Sequence, residues 1–386
     1  MPNLLFVLYS DFASNSAAHV VALANELSAL GYDCVVAVAD NLASLSLYPD
    51  HRFQAVEFNT AIRKPLPFRN GKGPDLVHAW TPRETVRQFC AEIEAQYTIR
   101  QFVHLEDNEL HLTARLLGLS ERQLAFMSED ELESRIPLSL SNPRLMPRFL
   151  AQAAGVSVII DALRSQVPDG VRTATIWPSA DEALFHPRPI DYLRRAELGV
   201  PINSLVLVYT GNVHAANAHE VRSLYLAVAM LNREGCPTTL IRTGRDFYPF
   251  LGEHDQWAKR HAMELGFVES RAELAAVTAL ADILVQPGHP GAFNDYRFPS
   301  KLPEFFALGK PVILPATNIG LVTEHGRDAF VLPQADAVGI VEAVKSIRKH
   351  SELHERLATG AREFFERNLR WPGAAARLHE FYQANE

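Results

Sequence analysis

Residues 297 to 316 read Arg-Phe-Pro-Ser-Lys-Leu-Pro-Glu-Phe-Phe-Ala-Leu-Gly-Lys-Pro-Val-Ile-Leu-Pro-Ala, an order that places charged groups at the start of a short, otherwise apolar helix. A polar loop ends at Ser300, the helix carries Glu304 in its first turns, Gly309 closes it, and Pro311 to Leu314 forms a buried strand. Unpaired backbone N–H groups at such a helix start attract phosphate. Lys301 and Arg297 add positive charge, and the Glu304 carboxylate can accept hydrogen bonds from two vicinal hydroxyls. A nucleotide sugar offers both a diphosphate and a ribose diol. The plainer alternative is a serine-capped helix whose glutamate is solvated.

Two other clusters could touch a ligand. His104-Leu-Glu-Asp-Asn-Glu-Leu-His111 is the densest polar run of the first half and follows an expected strand. Its spacing matches no zinc pattern, and the chain has no Asp-x-Asp pair for a divalent metal, so a metal site is not expected. Glu106, then Asp107, are the candidates for a polar contact, against the alternative of a solvated acidic loop. The loop Ser10 to Ala18 joins the first strand to the first helix, at a carboxyl end where α/β sheets bind ligands. Ser14, Asn15 and Ser16 could there face phosphate or acceptor, or simply cap the helix.

These groups must be held by a framework, and 386 residues imply two cores of ordinary size. With 47% hydrophobic and 21% charged residues the chain reads as soluble and globular; a formal charge of −8 with scattered Lys and Arg excludes a nucleic-acid surface. Cys34, Cys90 and Cys236 are too few and too far apart for a disulfide framework or a zinc site, which suits a reducing cytoplasm. The N-terminal apolar run lacks a preceding basic region and reads as a strand, and no run is long enough to span a bilayer.

Strand and helix signals alternate throughout. Leu4–Tyr9, Cys34–Val38, Asp75–Ala79, Phe102–Leu105 and Val156–Ile160 read as strands. Val20, Ala24 and Leu27 mark a first helix, Thr81 to Glu84 a capping box, and Leu119 to Ser134 a polar helical insertion. The second half restarts at Leu205–Tyr209, with a long helix over Ala218–Asn232, strands at Thr239–Ile241 and Ile283–Gln286, and a capping box at Ser270 to Glu273. Such alternation implies two parallel sheets covered on both faces. The loop after the first strand lacks Gly-x-Gly-x-x-Gly, which argues against a dehydrogenase.

The segment Ser300-Lys-Leu-Pro-Glu-Phe-Phe-Ala-Leu-Gly-Lys-Pro-Val312 resembles the donor-binding motif of the retaining family 4 glycosyltransferases. Asp181, Phe185 and Pro187 are similar to that family's interdomain signature, and Trp371 to Tyr382 resembles its returning final helix. The resemblance implies a GT-B fold, two Rossmann-like domains facing across a cleft: residues 1–185 on the acceptor side, 186–368 for the nucleotide sugar, and 369–386 crossing back. It implies a metal-independent transfer from a UDP- or GDP-linked sugar, with no further cofactor, to a glycan, lipid-linked or small-molecule acceptor. Envelope or capsular polysaccharide synthesis, in the cytoplasm or at the inner face of the membrane with peripheral association, would suit it.

By the same resemblance Glu304 holds the ribose. The family's first acid, eight positions earlier, falls on Tyr296, so Asp295 or Asn294 would grip the sugar instead. Glu106 and Asp107 fall where the family has a His or His-Asp pair beside the sugar. Gly211 opens the loop that usually carries an Arg and a Lys for the diphosphate; neither is present, which leaves Asn212, His214 and Arg245, with Lys301 and Arg297 supplying the charge. Phe267, in Gly266-Phe-Val268, lies where backbone groups hold the base. A GT-B epimerase or a non-catalytic GT-B scaffold are the alternatives.

Overall fold

The short apolar runs become strands of two separate parallel sheets. In the computed structural model, which describes residues 1–384, the chain divides into two compact units, residues 1–178 with the segment from Trp371 onward, and residues 179–370. The first sheet contains β1 (Asn3–Leu8), β2 (Asp33–Val38), β3 (Gln54–Glu57), β4 (Leu76–Trp80), β5 (Arg100–Leu105), β6 (Gly155–Val158) and β7 (Thr173–Thr175), in the order β3-β2-β1-β4-β5-β6-β7. The second contains β8 (Leu205–Thr210), β9 (Thr238–Thr243), β10 (Ala262–Glu264), β11 (Ile283–Val285), β12 (Val312–Pro315) and β13 (Phe330–Leu332), in the order β10-β9-β8-β11-β12-β13. All pairings within the two sheets are parallel, for example Phe6 with Val36 and with His78.

Every residue of β1, β2 and β4 is buried, because helices cover both faces of a parallel sheet. The helix Asn15–Ala29 packs Val20, Ala24 and Leu27 into the same core as Leu4, Phe6 and Leu8, joined by Leu378 and Tyr382 of the helix Trp371–Gln383. Each such aliphatic or aromatic side chain contributes about 1.5–3 kcal/mol. In the second unit, Val221, Leu224 and Val228 of the helix Ala218–Arg233 pack with Leu207, Leu240, Ile283 and Ile313. Among the described residues no helix is long and apolar enough to cross a membrane.

Two expected caps form differently. Thr81 is not a helix cap: it sits at φ 79°, and the helix Glu84–Glu94 begins at Arg83 without a side-chain cap. The Glu84 and Thr85 N–H groups instead donate to the carbonyls of Leu140 and Leu138, which displaces the threonine from that task. Ser270 does accept from the Glu273 N–H at 3.3 Å, while the Glu273 carboxylate turns to Arg194. The insertion is three short helices, Glu109–Leu116, Glu121–Phe126 and Glu129–Arg135, which share a small core of Ala114, Leu124, Leu132 and Ile136.

Candidate active site

In the second unit the carboxyl ends of β8, β9 and β11 lead into three loops that meet. Gly211, at φ 136°, follows β8, and a Cβ there would lie 3.3 Å from the Lys301 amine. Gly244, at φ 107°, follows β9, and a Cβ there would lie 2.2 Å from the Gly211 carbonyl oxygen. Only glycine permits both approaches, so the two loops pack backbone to backbone under Lys301. The loop from Gln286 to Ser300 closes the group.

Lys301 lies 4.7 Å above the Tyr209 ring and donates to Gln286 Oε1 at 3.3 Å. Among the described residues it has no carboxylate within ion-pair distance. Burial, reinforced by the nearby Arg297 guanidinium, brings its amine down to about 7. Arg297 stacks on Phe293 at 4.0 Å, donates to Asn294 Oδ1 at 2.8 and 3.1 Å, and lies 3.7 Å from Glu220. Two basic side chains thus converge here, with the Glu220 carboxylate beside Arg297, in a place an anion could approach.

The helix Leu302–Ala307 contributes less than its sequence suggests. Ser300 is exposed and does not cap it; the Leu302 N–H already donates to the Pro299 carbonyl, and Pro303 has no N–H. The positive charge at this place is therefore that of the side chains. Glu304 is buried and its Oε1 lies 2.9 Å from Arg271, whose guanidinium stacks over Phe185. Burial pushes the Glu304 carboxyl up, and Arg271 opposes that rise.

The other expected donor residues are largely committed to structure. Asp295 accepts from the Gly291 N–H at 3.0 Å and from the Thr317 hydroxyl, which brace it in its loop. Asn294 donates to Glu220 and to the His289 carbonyl. Tyr296 is half-buried in the adjoining turn. Asn212 accepts from the Arg245 N–H at 2.8 Å, and the His214 ring stacks on Phe247 at 5.2 Å. Arg245 lies over the half-exposed Phe267 ring at 4.5 Å, and the Gly266 carbonyl accepts from Gly244 at 2.7 Å.

In the first unit Glu106 is buried and engaged by three neighbouring side chains. It accepts from Trp80 Nε1 at 2.7 Å, from His19 Nδ1 at 2.9 Å and from the Ser16 hydroxyl. Burial would raise its carboxyl, but these bonds outweigh that and bring it down to about 2. The half-buried His19 is thus the side chain that Glu106 positions. Ser14 donates to the Asp11 carbonyl, Asn15 is exposed, and Asp107 is half-buried. The Glu109 carboxylate binds Ser141 at 2.8 Å and lies 3.5 Å from Arg83. Among the described residues no group of three His, Cys, Asp or Glu could hold a metal ion.

Glu220, His19 and Arg271 were not marked by the motif. The first two carry one signal in common: each is a polar residue on a helix face that otherwise points to the core, Glu220 before Leu224 and Ala227, His19 before Leu23. Arg271 carries none, since one arginine at a helix start is ordinary.

Residues 204–350, which hold this loop cluster, match the family described as glycosyl transferases group 1. Over 237 residues the chain is 27% identical to a D-inositol 3-phosphate glycosyltransferase of Nocardioides, an alignment covering 56% of this chain and 49% of that protein. The chain thus spans about half the length of that curated relative. The Anabaena HepE structure in complex with UDP and glucose is similar in fold, with a TM-score of 0.71 at 15% identity and both chains covered completely. Sucrose-phosphate synthase from Thermosynechococcus elongatus gives 0.66 at 15% identity, covering 100% of this chain and 99% of that one.

Proposed function

We propose that the protein is a retaining glycosyltransferase that moves a sugar from a nucleoside diphosphate sugar, UDP- or GDP-linked, to a glycan, lipid-linked or small-molecule acceptor in the synthesis of envelope or capsular polysaccharide. The observation that carries this reading is the adjacency of Lys301 and Arg297 beside the carboxyl ends of β8, β9 and β11 and within the family-matched segment. The loops at the carboxyl ends of the first sheet take the acceptor.

As the bond between the sugar and the diphosphate breaks, its electron pair leaves with the diphosphate, and negative charge builds up beside Lys301 and Arg297. The acceptor oxygen forms the new bond on the same face, and its proton passes to the departing phosphate oxygen. Glu304 accepts from the ribose hydroxyls once Arg271 turns aside. The half-exposed Phe267 and the backbone near it receive the base.

With side-chain cations at the diphosphate, release of nucleoside diphosphate from the sugar donor proceeds at nearly the same rate in EDTA. An activity that disappears with chelator and returns with manganese or magnesium would overturn this, and would turn attention to Glu106, Asp107 and Glu109 as metal ligands.

A further inference from the structure

A carboxylate that the motif does not contain faces Arg297. Glu220 stands in the first turn of the helix Ala218–Arg233 and is only 3% exposed. Its Oε1 accepts from Asn294 Nδ2 and lies 3.8 Å from His289. Its Oε2 is buried, makes no hydrogen bond, and has the Arg297 guanidinium 3.7 Å away. A buried carboxylate oxygen without a hydrogen-bond partner is costly to fold, and a structure that keeps one has a use for its charge.

Lys301, by contrast, reaches only Gln286 and the Tyr209 ring. Arg297 is therefore the cation with a carboxylate at ion-pair distance among the described residues. We propose that Glu220 is a positioning residue of the diphosphate site: it holds Arg297 beside Asn294 in the empty protein and gives up the guanidinium to the phosphate oxygens when a nucleoside diphosphate binds. This rests on the reading of the second unit as the donor site. In that role Glu220 takes the place of the acid missing at Tyr296, but as a holder of the phosphate-binding arginine and not as a ligand of the sugar. Burial raises the Glu220 carboxyl, and Arg297 opposes that rise, in keeping with an acid whose charge depends on its partner.

An acid that competes with phosphate for one guanidinium leaves a signature in a double-mutant cycle. Calorimetric titration with UDP and with GDP is carried out on the wild type, Glu220→Gln, Arg297→Ala and the double variant. Removing the competitor makes the better-bound nucleotide bind about three- to tenfold more tightly in Glu220→Gln. In the Arg297→Ala background the same change has little effect, because the contested group is gone. Glu220→Asp, which draws the charge back from the guanidinium, also tightens binding and serves if the glutamine variant does not fold. Weaker binding in Glu220→Gln, or equal tightening with and without Arg297, would overturn the proposal. A wild type that binds neither nucleotide would instead refute the donor-site reading on which it rests.

Discussion

Lys301→Ala lowers the rate of sugar transfer about 100-fold or more at saturating donor, a larger loss than in binding of the unreacted donor. Among the described residues the lysine has no ion pair, so its charge, when it is protonated, is available as the leaving diphosphate gains charge. Arg297→Ala loses rate in the same way, and in addition leaves Glu220 buried without its guanidinium. The lysine also gives nucleotide binding a pH dependence. Burial brings its amine down to about 7, so above that pH the diphosphate must bind a neutral amine or draw a proton onto it, and affinity declines as pH rises. Below that pH the amine is already charged and this term is absent. Steady-state kinetics on the two single variants check the claim. Wild-type turnover in both would place the job on Arg245, His214 or another basic group.

Glu304→Gln weakens donor binding by about 1.5–3 kcal/mol while leaving the fold intact, because a neutral amide replaces a charged acceptor for two ribose hydroxyls. The ion pair with Arg271 shapes how this appears. The wild-type carboxylate is already partnered at 2.9 Å by a side chain that is itself more than half exposed, so ribose exchanges one partner for another and does not meet a bare charge. Calorimetry with the nucleotide measures the loss, and unchanged affinity in the variant would remove Glu304 from the site.

Much of this arrangement was readable before the structure. The runs at Leu4, Cys34, Phe102 and Leu205 are continuous and apolar, and continuous burial is what a parallel strand requires. The strands not anticipated are short sheet members with weak patterns: Gln54–Glu57, Thr173–Thr175, Ala262–Glu264 and Phe330–Leu332. Pattern failed at Thr81 for a different reason. Its cap signature is local, whereas the groups that satisfy the helix start come from Leu138 and Leu140, far along the chain.

The site was legible in its residues but less so in their roles. Lys301 and Arg297 come together because both flank one turn, and sequence distance conveys that. How Glu106 and Asp295 are engaged depends on Ser16, His19, Trp80 and Thr317, partners that no spacing rule connects. Buried carboxylates attract donors from wherever the fold brings them, so their engagement is settled by tertiary structure.

The central claim is that the second unit binds a nucleoside diphosphate, and a thermal-denaturation series with UDP, GDP and their sugars measures it directly. A ligand that binds the native protein raises the melting midpoint by mass action, by an amount that grows with its concentration above Kd. The account predicts such a rise with UDP or GDP, present in EDTA and reduced in Lys301→Ala and Glu304→Gln. No shift with any of these nucleotides at millimolar concentration would contradict it and would leave a protein that keeps the glycosyltransferase fold without using its donor site.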